Sequence, residues 1–214
     1  MSKNNLILGL DVSTKTIGIA LFEDLGDSGK LKLLHHVTPN IKPKPTNKTQ
    51  ELCEKARVFE QEFLNNYVNM GITRVIIEEP LLRSNNVNTV AMLLRFNGMI
   101  SRSVYETLGV TPDYISSYDA RKYGFPELMA VRTHNKKGEA YPQNKVDKAS
   151  PVLFGAYPWE VDKKALVWEL VSDLEPQIAW LYTRTKSPKK ENYDMTDAYA
   201  AVHGHMNRIG HWPK

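Results

Sequence analysis

The sequence predicts an α/β fold: a mixed five-stranded sheet, its first three strands antiparallel, flanked by helices. Three observations carry this reading. Short apolar or β-branched runs separated by turn residues come first, and segments with helical apolar spacing then alternate with single further runs. Two of the buried-strand runs also stop abruptly at carboxylates. Consecutive strands followed by strand–helix alternation give a sheet with both antiparallel and parallel neighbours.

Residues 6–10 form a short apolar run of the kind shown by a strand buried on both faces, and it ends at Asp11 and the polar turn 12–16. Residues 17–22 read as the second strand, 26–29 as a turn and 31–37 as the third strand. A proline-containing linker, 39–45, leads to residues 49–69, where Leu52, Ala56, Phe59, Phe63 and Tyr67 mark one helix face. Gly71 stands just past its end, as a capping glycine does. Residues 74–77 are a β-branched strand closed by Glu78, Glu79 and Pro80. Residues 87–108 read as a helix ended by Gly109, with Gly98 inside it marking a close approach to another backbone. Residues 112–116 are the fifth strand, and 165–182 a helical stretch bent or broken near Pro176. In residues 195–206, Ala198, Ala200, Ala201 and Val202 make a small-residue helix able to pack closely on a sheet.

A chain of 214 residues supports one sizeable core with an embellishment, and not two large domains. The expected organisation is a single domain over 1–214 with a loop-rich insertion at about 126–160. A formal charge of +4 tolerates a polyanion without requiring one. The single cysteine, Cys53, has no partner for a disulfide or zinc knuckle, which favours a reducing compartment and a small-apolar role for Cys53 itself. The first apolar run is too short for a signal-peptide core or a membrane span, and no other stretch approaches span length. The expectation is a cytoplasmic protein with no targeting signal and no membrane partner. Residues 26–30 lack phosphate-loop spacing and read as a hairpin turn. Without cysteine partners, the histidines do not suggest zinc, and His203 and His205 fit surface or capping roles.

The insertion interleaves Lys136, Lys137, Lys145 and Lys148 with glycines, prolines and the rings of Tyr141, Phe154, Tyr157 and Trp159. Such a segment reads equally as a nucleic-acid surface or as a solvated insertion pinned by its aromatics.

Chemistry concentrates in four carboxylates. Asp11 and Glu78 close two buried strands, and Asp194 and Asp197, three apart at a helix start, share one face. Singly, each has a structural explanation as turn former, solvated strand end or helix N-terminal charge. Brought together they repel unless cations compensate, and oxygen-only ligands suit Mg²⁺ or Mn²⁺. Two such ions can drive in-line attack of water on a phosphodiester. Glu78 and Glu79 point to opposite strand faces, and alternation alone does not say which joins Asp11.

Three segments carry a family resemblance: Gly9-Leu10-Asp11-Val12-Ser13-Thr14-Lys15-Thr16-Ile17-Gly18-Ile19-Ala20, Val75-Ile76-Ile77-Glu78-Glu79-Pro80, and Asp194-Met195-Thr196-Asp197-Ala198-Tyr199-Ala200-Ala201-Val202-His203. In order, they resemble the signature segments of RuvC-type Holliday junction resolvases, which belong to the RNase H-like nucleases. The resemblance implies an RNase H-like fold, a homodimer, and Mg²⁺-dependent paired nicking of four-way DNA junctions in a bacterial or phage-infected cell. It also implies Asp11, Glu78, Asp194 and Asp197 as ligands of two metal ions, with Asp11 bridging them. Val12 and Ser13 replace the family's usual Pro-Gly turn, a variation associated with viral relatives. By the same resemblance Leu81, Leu82 and Arg83 are candidates for a wedge at the junction crossover, with a core role equally open. Lys122, Lys145, Lys148, Lys163 and Lys164 are candidate phosphate contacts, or a solvated face. Rival readings are an RNase H-like nuclease acting on RNA–DNA hybrids or single strands, and a non-catalytic junction-binding protein. A sugar-kinase-like ATPase ranks last, because 214 residues leave little room for its second lobe.

Overall fold

Strand β1 (Leu6–Val12) is apolar except at Gly9 and Asp11, and in the computed structural model, which describes residues 5–80, 86–153 and 161–212, it is the central strand of the sheet. Strands β2 (Ile17–Asp24) and β3 (Gly29–Val37) follow it as an antiparallel meander. On the other side, β4 (Ile72–Glu78) runs parallel to β1, and β5 (Asp113–Ile115) runs parallel to β4. The order β3-β2-β1-β4-β5 is the expected five-stranded mixed sheet. Parallel neighbours require crossovers. Helices α1 (Lys48–Glu62) and α2 (Val87–Leu108) lie within the two connections.

Strand alternation divides the core in two. Leu8, Leu10, Ile19, Val75 and Ile77 meet Leu52 and Phe59 of α1 and Phe96 and Ile100 of α2. On the opposite face, Ile7, Ala20, Phe22 and Ile76 meet Ala198, Ala201 and Val202 of the last helix, α6 (Lys190–Arg208). Between β5 and α6 come α3 (Ser117–Gly124), β6 (Met129–Ala130), α4 (Gln143–Val146), β7 (Val152–Leu153) and α5 (Lys163–Leu174). The described residues of 126–160 thus include a two-stranded ribbon, β6–β7, enclosing an exposed hairpin and α4. Residues 154–160, with Phe154, Tyr157 and Trp159, lie outside the described residues.

Glycine lets α6 lie against the sheet. A β-carbon on Gly9 would stand 2.5 Å from the Ala198 carbonyl oxygen, and one on Gly18 would stand 2.0 Å from that of Asp194. Gly204 likewise admits α3, since its β-carbon would stand 2.5 Å from Ala120 Cα. Gly98, expected at such a contact, is exposed, and a β-carbon there would meet nothing within 4 Å.

Several expectations need correction. Helix α1 stops at Glu62, and a 3₁₀ turn, Leu64–Tyr67, fills the rest of the expected helix. Helix α5 ends at Leu174, at the break expected near Pro176, but residues 177–182 do not resume a helix beyond it. Helix α3 was not foreseen. Helix α6 starts at Lys190, so Asp194 and Asp197 lie beyond its first turn and gain little from the helix dipole. His205 is buried, and His203 stacks on Tyr199 at 4.5 Å between centroids and meets Phe22 and Trp212 edge-on, so neither is a surface residue. Cys53 is exposed rather than packed. Among the described residues no helix is long and apolar enough to cross a membrane.

The end of the chain is fixed by one carboxylate. Asp24 accepts hydrogen bonds from Trp212 Nε1 at 3.1 Å and His211 Nε2 at 2.9 Å, while the Trp212 ring fills the space over Gly29. Burial works against ionising Asp24, but these bonds and one from the Gly26 N–H outweigh it and hold the carboxyl below the ordinary aspartate value of 3.8. A lowered folded pKa means stabilisation that is complete above the unfolded value and lost as pH falls through the folded one. Asp24→Asn is therefore expected to cost about 2 kcal/mol at neutral pH and to flatten the acid limb of the Tm–pH curve. Parallel thermal melts from pH 7 to the acid transition check this.

Candidate active site

Register decides which carboxylates meet. Asp11 pairs with Gly18 across β1 and β2, and Leu10 with Ile77 across β1 and β4, so Asp11 and Glu78 are the next neighbours at the ends of parallel strands. Registered neighbours project to the same face. For Asp11 and Glu78 it is the face of Ile7 and Ile76, which α6 covers. Gly18, opposite Asp11, lacks a side chain, and the α6 backbone at Asp194 occupies that space. The same contact brings Asp194 and Asp197 over the strand ends. Glu79 is exposed at the rim.

Asp197 is 2% exposed and carries the centre's visible ion pairs: Lys164 Nζ lies 2.5 Å from its Oδ2 and Arg121 Nη2 3.4 Å from its Oδ1. Burial first, then the charges of Asp197 and Asp194, push the Asp11 carboxyl from 3.8 up to about 8, against the pull of Lys164 and Arg121. Burial, with Asp197 and Asp11, holds Glu78 well above its ordinary value. Asp194 is also raised, by burial and then by Asp197. Burial disfavours the Lys164 ammonium, yet Asp197 beside it raises that group above the ordinary lysine value. Four carboxylates thus face two cations, and burial with that excess of negative charge raises Asp11, Glu78 and Asp194 together.

The surroundings hold this cluster in place. Ser13 Oγ accepts the N–H groups of Lys15 and Thr16 and donates to the Thr16 carbonyl, closing the turn after β1 with its own side chain. Lys55 of α1 donates to the Thr14 carbonyl at 2.6 Å. The buried Asn97 amide of α2 donates to the Val12 carbonyl at 3.3 Å. Around the cluster opens a cavity of about 950 Å³, lined by the acids Asp11, Glu78, Glu79, Glu191 and Asp194 and by the cations Lys15, Arg121, Lys163, Lys164 and Lys190.

The expected basic residues divide. Lys163 and Lys164 line the cavity, whereas Lys122, Lys145 and Lys148 do not. Lys122 lies over the Tyr118 and Tyr123 rings of its own helix, and Lys145 sits 3.6 Å above the centre of Tyr141. Leu81, Leu82 and Arg83 lie outside the described residues. Sequence reasoning missed Arg121, Lys15 and Lys190. Arg121 had a usable signal: Ser116 is an N-cap serine that accepts the Asp119 N–H, which starts a helix placing Ser117 and Arg121 on one face.

The donor set is oxygen-only, and its four carboxyls outnumber the two cations Lys164 and Arg121 beside them, a composition that suits a hard divalent cation. Among the described residues no three acidic, imidazole or thiol groups are drawn in closely enough to hold a metal ion, and the positive charge at the centre comes from Lys164 and Arg121.

No family model matches this sequence, and no curated protein matches it. Among solved structures, Thermus thermophilus RuvC is similar over 96% of this chain and 97% of its own, at 15% identity and a TM-score of 0.51. T. thermophilus RuvC in complex with Holliday junction substrate is similar over 96% of each chain, at 11% identity and a TM-score of 0.53. The chain shares the fold of these RuvC structures. A fowlpox virus resolvase complexed with substrate Holliday junction DNA is a more distant likeness, with a TM-score of 0.44 at 10% identity over 95% of this chain and 98% of that one. The RuvC fold accounts for nearly the whole chain, and at this identity residue roles rest on the geometry above.

Proposed function

We propose that this chain is a metal-dependent, structure-selective DNA endonuclease that resolves four-way junctions or related branched DNA. The observation that supports this most is that Asp11, Glu78 and Asp194 line one open cavity together with Lys15, Arg121, Lys163, Lys164 and Lys190, while Asp197 is buried beside it against Lys164 and Arg121. The fold agrees, being that of a protein solved with Holliday junction substrate. Carboxylates alone repel a phosphodiester, so a centre of this composition needs cations before a substrate can approach. Asp11, Glu78, Asp194 and Asp197 are the residues that would hold Mg²⁺ or Mn²⁺, two ions per site. When bound, such a pair activates water and stabilises the leaving oxygen of an in-line displacement.

The chain's own residues do the rest. Lys164 and Arg121 hold the Asp197 side chain in place through their ion pairs. Lys15, Lys163 and Lys190 at the cavity attract and position the phosphate backbone. A homodimer fits the substrate, since two sites about a twofold axis match the two symmetric strands of a junction.

The test is cleavage of labelled four-way junction, flap, linear duplex and RNA–DNA hybrid in Mg²⁺ and in EDTA. Paired symmetric nicks confined to the junction, and lost in EDTA, are the expected result. Preferential cutting of the hybrid would replace this reading with an RNase H-type activity. Tight junction binding without cutting in Mg²⁺ or Mn²⁺ would leave a junction-binding protein.

A further inference from the structure

Two exposed hairpins in this chain close with the same three-residue loop, and they differ at one position. In the first, Asn135 N–H donates to the Glu139 carbonyl at 2.8 Å, Gly138 N–H to the Asn135 carbonyl at 3.0 Å, and His134 bridges Ala140. In the second, Thr183 N–H donates to the Ser187 carbonyl at 2.8 Å, Lys186 N–H to the Thr183 carbonyl at 3.1 Å, and Tyr182 bridges Pro188. Both loops need a left-handed residue at the fourth position. The first hairpin supplies Gly138 at φ +81°, but the second supplies Lys186 at φ +60°. Among the described residues only Asn69 and Lys186 adopt positive φ without being glycine, and asparagine tolerates it. A lysine therefore stands where the backbone favours glycine.

The charge around Lys186 is also one-sided. Residues 181–190 hold Arg184, Lys186, Lys189 and Lys190 and no acid, whereas the first hairpin has Glu139 beside its lysines. Among the described residues, Arg184, Lys186 and Lys189 make no ion pair within the chain. The hairpin is nevertheless firmly mounted. Asn192 of α6, fully buried, accepts the Leu181 N–H at 3.0 Å and donates to the Leu181 carbonyl at 2.8 Å. Trp168 of α5 meets Trp180, Tyr182 and Tyr193 edge-on, with centroids 6.3 to 6.5 Å apart. Helices α5 and α6 also carry Lys164, Asp194 and Asp197, and Lys190 at the hairpin's root lines the cavity.

A rigid, uncompensated cationic arm anchored to the site's helices is suited to an extended polyanion. We infer that the 181–189 hairpin is a phosphate clamp that grips the backbone of a duplex arm of the DNA through Arg184, Lys186 and Lys189. The inference deepens the nuclease reading and rests on it. The clamp grips backbone, so it contributes equally to a junction and to a plain duplex.

Lys186→Gly separates binding from structure, because glycine is the residue the sister loop already uses. Binding of labelled four-way junction and of short linear duplex is measured by fluorescence anisotropy across a KCl series with Ca²⁺ in place of Mg²⁺, so that the centre is charge-compensated and binding is read without cutting, with Tm recorded for each protein. The clamp predicts affinity for both DNAs weaker by on the order of five- to tenfold at 0.1 M salt, and a log–log salt slope shallower by about 1. Tm does not fall. The triple variant Arg184→Gln, Lys186→Gly, Lys189→Gln lowers the slope by about 3. Unchanged affinity and slope in both variants would overturn the clamp and leave the nuclease reading intact. A Tm that falls together with affinity would assign Lys186 to the loop's architecture and also overturn it. A parent protein that binds neither DNA would sink the nuclease reading, and the clamp with it.

Discussion

If the chain is the nuclease proposed, Asp11→Asn is expected to abolish cleavage while leaving the protein folded and able to bind DNA. The expected loss of single-turnover nicking rate is on the order of a thousandfold or more, the equivalent of several kcal/mol of transition-state stabilisation. Burial and the neighbouring carboxylates push the Asp11 carboxyl up to about 8, so at neutral pH it already spends most of its time uncharged without a bound cation. Asparagine has nearly the shape of that neutral form. The substitution also relieves repulsion from Asp197 and Asp194, so Tm stays level or rises. What asparagine cannot do is become an anion when a divalent cation arrives. Stability and chemistry should therefore move apart, as they would not if Asp11 merely formed a turn. Nicking rates on a labelled junction, with anisotropy titrations and thermal melts of the same preparations, check all three parts. Parent-like nicking would remove Asp11 from the reaction, and a large drop in Tm would show that its role is structural.

The sheet was legible because its signals are strong and local. Leu6, Ile7, Leu8 and Leu10 are buried on both faces of β1, as a continuous apolar run requires, and the small residues of α6 lie against the strands that Gly9 and Gly18 leave open. The choice between Glu78 and Glu79 was not legible. Alternation assigns residues to faces, but only the pairing of Leu10 with Ile77 says which face Asp11 shares. Helix α3 escaped because, of its eight residues, Ala120 is the sole buried one with a side chain, and its position is set by the crossing at Gly204. Arg121 escaped with it. The 181–189 hairpin was hidden by Ile178, Trp180 and Tyr182, which continue the apolar character of α5, although Pro176 marks where the helix has to stop. The sequence marks Lys164 only as a candidate phosphate contact or solvated lysine, because its bond to Asp197 depends on the packing of α5 against α6, a tertiary fact that spacing does not encode.

Gly18→Ala should be the most damaging single-methyl change in the sheet. Its β-carbon would stand 2.0 Å from the Asp194 carbonyl oxygen, 2.4 Å from the carbonyl carbon and 3.0 Å from the Met195 nitrogen. All three are main-chain atoms of α6, so no rotamer change makes room. Either α6 rises from the sheet or β2 bends. Overpacking of flexible cores costs about 1–3 kcal/mol, and a clash with helix backbone belongs at or above the top of that range. That is a large fraction of a typical total of about 5–15 kcal/mol. The shift also falls on the residue that carries a site carboxylate, so protein that remains folded should lose about a hundredfold in nicking rate, as expected for a displacement of about 1 Å. Gly98→Ala is the matched control. It adds the same methyl inside α2, where nothing lies within 4 Å, and helix propensity predicts a gain of about 0.5–1 kcal/mol. Urea unfolding of the two variants against the parent compares a contact with a propensity, and equal stability of all three would mean that α6 does not rest on Gly18.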